Sequence, residues 1–419
     1  MANNIQPGER LTELPQTNEP AHAVHLVALI CLAEVLSMTG FATYAAFLPS
    51  LRLEWGISGA QAGFISGAFF FGYMLAVPVL SGITDRIDAR RVFVFACGLS
   101  AAGSAGFGWL ADSVLSAALC QALTGAGLAG TFMPGLKALT DRIEGPRQAR
   151  FIAFYTAFFG VGSSLSLLAT GWLAIVFPWR TTFLLLALGP LLAAPAIGFG
   201  LRPKNPPGGG NAPWFPRFSV VLAQRATRRF ILGYAFHCWE LFGIRSWLVA
   251  FFVFAYALNS DSPSVLSPTE AAALINIFGL PASILGNEAA GKFGRTRWIA
   301  VVMATSGLLC WLVGFAAAWP WWLLLMLLAF YFTAVMADSA ALTAGLVQAT
   351  PQAQRGAAMA VYSLLGFGAA FLSPMTFGVM LDIGGGSSSS WAWTLAFGTL
   401  GMGCLFWMIT HVFSGRSSP

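Results

Sequence analysis

Twelve long apolar stretches, separated by short loops that hold nearly all the charge, leave this chain few ways to fold. A helix needs ~20 mainly apolar residues to cross the hydrocarbon core of a bilayer. Stretches of that kind lie at 22–48, 60–82, 90–110, 114–138, 149–175, 180–201, 228–258, 270–291, 297–317, 320–348, 356–382 and 391–413, with 180–201 and 320–348 the most thinly flanked by charge. Inside a bilayer each backbone polar group must find its partner within the protein, so such stretches become helices. The expected fold class is an all-α membrane protein with twelve transmembrane helices. Composition agrees: charged residues make up 9% of the 419 and apolar ones 57%, whereas soluble domains carry about 25% charge. The abundant Gly (46) and Pro (22) suit membrane helices that pack closely.

A net charge of +6 raises nucleic acid as a partner, but the cations sit in short loops between apolar stretches, which is a topology signal. With the N-terminus cytoplasmic, one side collects Arg86, Arg90 and Arg91; Arg142, Arg147 and Arg150; Arg202, Lys204, Arg217, Arg225, Arg228 and Arg229; Lys292, Arg295 and Arg297; and Arg355. With Arg10 and Arg416 on the tails this side holds 18 of the 22 cations, and only Arg52 and Arg180 fall in the opposite loops. The expectation is a multi-pass protein of the cell inner membrane with both termini cytoplasmic. Residues 1–21 are polar, without the charged-then-apolar pattern of a leader, so no cleavage is expected. The six cysteines (31, 97, 120, 238, 310 and 404) lie in apolar stretches without metal-ligand spacing and read as small core residues. No cofactor or metal is expected.

The Pro/Gly-rich, basic segment 202–227 divides the chain into a six-helix unit, 22–201, and a second one, 228–413, between cytoplasmic tails 1–21 and 414–419. The halves echo one another, as transporter repeats do. Tyr155 and Tyr362, Thr156 and Ser363, and Gly171 and Gly378 share an offset of 207 residues; Glu34 and Glu240, Arg86 and Lys292, and Arg91 and Arg297 lie within a residue of it.

The run Ser81-Gly-Ile-Thr-Asp85-Arg86-Ile-Asp-Ala-Arg90-Arg91 resembles the loop 2–3 signature of the major facilitator superfamily, and Gly291-Lys292-Phe-Gly294-Arg295-Thr-Arg297 resembles its degenerate repeat in loop 8–9. The resemblance covers residues 22–413 and implies two pseudo-symmetric six-helix bundles. It departs at Ser81, where the family has glycine, and at Asp88-Ala89, where it has Gly-Arg. It implies a latch in which Asp85, Arg86, Arg90, Arg91, Lys292, Arg295 and Arg297 gate the pathway by pairing across the halves; topological anchoring is the alternative. A decoy, Gly286-Asn-Glu-Ala-Ala-Gly291-Lys292-Phe293, fits GxxxxGK but lacks the hydroxyl and the preceding strand of a nucleotide loop.

A charge at bilayer depth costs several kcal/mol, so it faces a cavity or a partner. This chain places Glu34 in span 1, Lys137 near the end of span 4, Glu240 and Arg245 in span 7 and Asp338 in span 10. The resemblance implies that these four helices line the central cavity. Glu34 and Glu240 are candidates for a coupling proton, with a structural ion pair to Arg245 the alternative. Arg245 offers a planar fork of donors for a carboxylate, phosphate or sulfonate, with pairing to Asp338 as its structural alternative. Asp338 lies among small and hydroxyl residues. His237, one turn from Glu240, reads as a coupling group or a satisfied core imidazole. Lys137 reads as a substrate contact or an Asp141 partner, and Tyr155 and Tyr362 as ligand-stacking or packing residues.

These features point to a secondary transporter, expected to be a monomer in the lipid bilayer, that moves a small organic anion with protons by alternating access. The helix 5 and 11 texture faintly resembles the nitrate/nitrite and cyanate-type branches, without their nitrate-binding arginines in helices 2 and 8. The other readings are a proton-coupled efflux antiporter for an amphipathic or cationic compound, and a transporter-like scaffold. With four histidines and neither HExxH nor GxSxG, an enzyme is not expected.

Overall fold

A computed structural model describes residues 19–143, 147–204, 218–259 and 264–412. Among them the chain is all-helical, without strands, and its long helices make twelve spans. Span 1 is Glu19–Ser37 with Thr43–Trp55, span 2 Gly59–Ile83, span 3 Ala89–Leu110, span 4 Val114–Arg142, span 5 Gln148–Val176 and span 6 Trp179–Leu186 with Leu188–Gly200. Span 7 is Arg225–Leu258, span 8 Pro268–Ile277 with Gly279–Phe293, span 9 Arg295–Phe315, span 10 Trp321–Met336 with Ser339–Ala349, span 11 Arg355–Ile383 and span 12 Ser390–Val412. Spans 1–6 form one bundle and 7–12 the other. Eleven spans are long and apolar enough to cross a membrane; the first, divided in two, contributes the short apolar helix Ala23–Ser37. The tails, and residues 205–217 of the basic linker with Arg217, lie outside the described residues.

Span 1 corrects the expectation of one helix over 22–48. It breaks at residues 38–42 and resumes to Trp55, where Gly56 (φ 61°) caps it in the left-handed region. Side chains of neighbouring helices take up the backbone groups released by the break. Ser166 Oγ donates to Thr39 O (2.7 Å) and accepts from Ala42 N (3.0 Å), and Thr39 Oγ1 donates to Leu186 O (2.7 Å). Spans 6 and 10, the two with least flanking charge, each carry a single hitch, at Ala187 and at Ala337–Asp338.

The two bundles meet along spans 2 and 11, spans 5 and 8, and the second piece of span 1 with span 7. Small residues bring backbones into contact there. A Cβ added to Gly63 would lie 2.1 Å from Pro374 O, and one at Gly378 would lie 1.9 Å from Gly59 O. At the loop 1–2 end of this seam Asp382, at the end of span 11, accepts from the backbone N–H groups of Gly59 (2.8 Å) and Ala60 (2.9 Å), the opening residues of span 2. Arg52 Nη2 adds a contact of 3.4 Å to the same carboxylate. Nearby, Trp172 Nε1 donates to Glu270 Oε1 at 3.4 Å, so a second carboxylate of the second bundle holds a donor of the first. This end of the interface is tied by polar contacts between the bundles.

Candidate functional site

Among the described residues, one charged side chain lines a cavity within the seam. Arg245 projects from span 7 into a cavity of about 40 Å³ whose walls come from both bundles, including Phe69, Phe70 and Gln121 of the first and Ser246 and Asn276 of the second. Its Nε donates to Asn276 Oδ1 (2.9 Å), and Asn276 Nδ2 in turn donates to Ala272 O (2.9 Å), which orients the amide. The guanidinium carbon sits 5.8 Å from the ring centroids of Phe159 and Phe242 and 5.7 Å from that of Phe332. Among the described residues no carboxylate lies within 4.0 Å of it. Pairing of Arg245 with Glu240 or Asp338 is therefore absent. Its free edge faces a space with room for a few waters at most, lined in part by Phe41, Phe69 and Phe70.

The other intramembrane charges occupy separate places. Glu34 is fully buried in span 1, and neither carboxylate oxygen has a hydrogen-bond partner; the adjacent Ser37 hydroxyl contacts Glu34 O (2.8 Å) and Thr131 Oγ1 (3.2 Å) instead. Glu240 points away from the cavity, toward spans 9 and 12, where Ser306 Oγ (2.9 Å), Cys404 Sγ (3.1 Å) and Cys310 Sγ (3.1 Å) donate to it. Five residues of helix place it roughly 140° around span 7 from Arg245, so the shared span does not bring them together. His237 Nδ1 lies 2.7 Å from Asp338 Oδ1, both buried, without the alignment of a hydrogen bond. Asp338 stands at the hitch of span 10, as the N-terminal flank of Ser339–Ala349.

Lys137 is taken up by Asp141 (3.0 Å), four residues along span 4, and does not reach the cavity. Tyr155 is fully buried, its hydroxyl donating to Phe132 O (2.8 Å), and Tyr362 stacks on Tyr234 at 3.7 Å while its hydroxyl meets Thr343 Oγ1 (2.8 Å). Both tyrosines pack helices together. Several uncharged polar groups missing from the sequence-derived set line the cavity, among them Gln121, Ser66, Ser163 and Ser246. Gln121, 4% exposed, has an amide with no hydrogen bond among the described residues, and Ser66 Oγ is buried without a partner. A lone amide amid the small residues of span 4 was the available signal.

Within the loop 2–3 motif the recorded polar contacts gather on one residue. Asp88, the departure from the family pattern, is its hub: it accepts from Arg142 Nη2 (3.0 Å), Lys204 N (2.9 Å) and Arg90 N (3.0 Å). Burial pushes its carboxyl up, but these hydrogen bonds and the Arg142 charge together hold it below the usual carboxylate range. Arg90 also donates to Gly198 O (2.9 Å) and Leu201 O (3.0 Å), so the hub binds spans 3, 4 and 6 of a single bundle. Asp85 and Arg86 are exposed, and Asp85, Arg91 and Arg297 form no ion pair among the described residues. Arg295 donates to Asn287 Oδ1 (3.0 Å) and Ala341 O (3.1 Å), and Lys292 lies over Phe293. Among the described residues no three His, Cys, Asp or Glu side chains converge as a metal site.

Comparison with known proteins places this geometry. The chain is 28% identical over 172 residues to the hexuronate transporter of Escherichia coli K12, an alignment covering 38% of the chain and 37% of that protein. It is 25% identical over 189 residues to the gallate transporter of Pseudomonas putida (43% and 40%) and 23% identical over 141 residues to the niacin transporter of Acinetobacter baylyi (34% and 32%). The chain thus matches two fifths or less of each of these relatives. Among solved structures it superposes on a bacterial homologue of the human lysosomal transporter Spinster with a TM-score of 0.72 (16% identity, 96% and 100% covered). A D-xylose–proton symporter follows the same fold with a TM-score of 0.71 (15% identity, 92% and 97% covered). The profile of the Major Facilitator Superfamily matches residues 30–374, and the chain belongs to that family.

Proposed function

We propose that this protein is a secondary transporter that carries a small organic anion together with protons across the cell inner membrane, with both termini cytoplasmic. The observation that carries the reading is Arg245: a guanidinium between the two bundles, held by an amide and three aromatic rings, with no carboxylate beside it among the described residues. An uncompensated cation at this depth is expensive to keep, and an anionic substrate would supply the missing charge through a two-pronged hydrogen bond. The names of the hexuronate, gallate and niacin transporters support it, since each denotes a carboxylic acid.

Glu34 is the proposed coupling site, because both of its buried carboxylate oxygens lack a hydrogen-bond donor among the described residues, and a bare buried charge is costly. His237 with Asp338 is the second candidate, while Glu240, with three donors, is assigned to the framework. Alternating access would rock 22–201 against 228–413 about the seam, with the loop 1–2 end closed in the state described. Purified protein in liposomes, assayed by solid-supported-membrane currents with a panel of organic anions and an imposed pH gradient, tests this reading. A carboxylate-driven current lost in Arg245→Ala is the expected result. Glu34→Gln should retain exchange of substrate and lose gradient-driven uptake. Silence with every anion, with currents from lipophilic cations, would replace the anion reading with efflux.

A further inference from the structure

The surroundings of Arg245 also bear on which anion it receives, given the transport reading above. We infer that the substrate is an aromatic or heteroaromatic monocarboxylate carrying a polar ring substituent, rather than a sugar acid or a short aliphatic acid. Rings surround the guanidinium on several sides and come from both bundles: Phe159 from the first, and Phe242 and Phe332 from the second, each within 5.8 Å of its carbon. They continue outward through Phe70, whose centroid is 4.4 Å from that of Phe242 across the seam. Phe41 stands edge-on to Phe159 at 5.5 Å. A planar ring held by its carboxylate on Arg245 would meet aromatic faces and edges, the arrangement in which arenes attract one another beyond simple burial.

Four polar groups of the lining are left unmatched: Gln121, Ser66 and Ser163 from the first bundle and Ser246 from the second are buried and have no hydrogen bond among the described residues. A buried amide and hydroxyl without partners are costly unless a ligand or water meets them. They suit a hydroxyl or ring nitrogen on the far side of a ring whose carboxylate lies on Arg245. A sugar acid presents a hydroxyl at almost every carbon and no aromatic face, so the hydroxyls set against Phe41, Phe69 and Phe70 would forfeit their hydration. A short aliphatic acid reaches Arg245 but leaves Gln121 and Ser66 unmet. The present cavity, about 40 Å³, is smaller than any such ring, so binding must accompany a separation of the walls.

The test is binding and current measurement on the full chain in liposomes with 4-hydroxybenzoate, benzoate, nicotinate, glucuronate and acetate. Expected is a preference of at least about tenfold for 4-hydroxybenzoate and nicotinate over glucuronate and acetate. Gln121→Leu should bring the ratio of 4-hydroxybenzoate to benzoate affinity close to one, and Arg245→Ala should abolish both. Glucuronate or acetate bound as well as 4-hydroxybenzoate, with Arg245 required, overturns this inference and leaves anion transport standing. If no anion binds, anion transport itself fails and takes this inference with it. Should Gln121→Leu fold poorly, Gln121→Met removes the same amide at similar size and offers the same readout.

Discussion

Asp382 is the point at which the seam between the bundles is most open to a single change. In Asp382→Ala the backbone N–H groups of Gly59 and Ala60 lose their acceptor, and Arg52 loses its contact. Hydrogen bonds to a charged group contribute about 1.5–3 kcal/mol each when shielded. The Asp382 side chain is 31% exposed, and an exposed ion pair contributes about 0–1 kcal/mol, so a combined loss of about 2 kcal/mol is reasonable. That energy stabilises only the state in which spans 2 and 11 touch at this end, so it enters the opening equilibrium directly. About 2 kcal/mol is roughly a thirtyfold shift, enough to raise a 1% open population to about 20%. Spin labels at Leu53 and Val265, 85% and 80% exposed near that end of different bundles, would report the opening by pulsed electron paramagnetic resonance. Five of the six native cysteines are buried and the sixth is partly so, which limits background labelling. A longer distance should gain population in Asp382→Ala, with about half the gain in Asp382→Asn, which keeps one acceptor oxygen. Identical distributions in all three proteins, each folded by thermal melt, would refute the reasoning.

Other consequences can be checked by thermal unfolding in detergent. Gly63→Ala should destabilise by about 1–3 kcal/mol, because its Cβ would lie 2.1 Å from Pro374 O and the two backbones must separate. Glu240→Gln turns an acceptor toward three donors into a partial donor and should cost about 1–3 kcal/mol; in transport it should keep gradient-driven uptake, unlike Glu34→Gln. Asp88→Asn tests the hub of loop 2–3. Because the folded-state pKa of Asp88 is depressed, its stabilisation is complete above the ordinary carboxylate range near ~4 and is lost as pH falls through the lower folded value. The stability gap between wild type and Asp88→Asn should therefore hold from pH 7 to about pH 4 and narrow below it.

What the amino-acid sequence determined by itself was the set of twelve spans and the identity of the one arginine in the middle of them. Both follow from the bilayer as solvent: length and apolarity decide a span locally, and a buried guanidinium stands out because its cost is high wherever the helix faces. The direction in which a side chain points was not available, because it depends on which neighbour each helix meets. Glu34 and Glu240 look equivalent along the chain, yet one is left without a donor and the other receives three from spans 9 and 12. Gln121 and Ser66 do not stand out along the chain, because uncharged groups cost little enough to be scattered through membrane helices. The break at 38–42 depends on Ser166, more than 120 residues away, to take up its backbone groups. Asp382 holds the start of span 2 from 323 residues along the chain. Only tertiary structure decided these, since a hydrogen bond or a cavity requires two surfaces, and the sequence supplies each surface without saying which other it will meet.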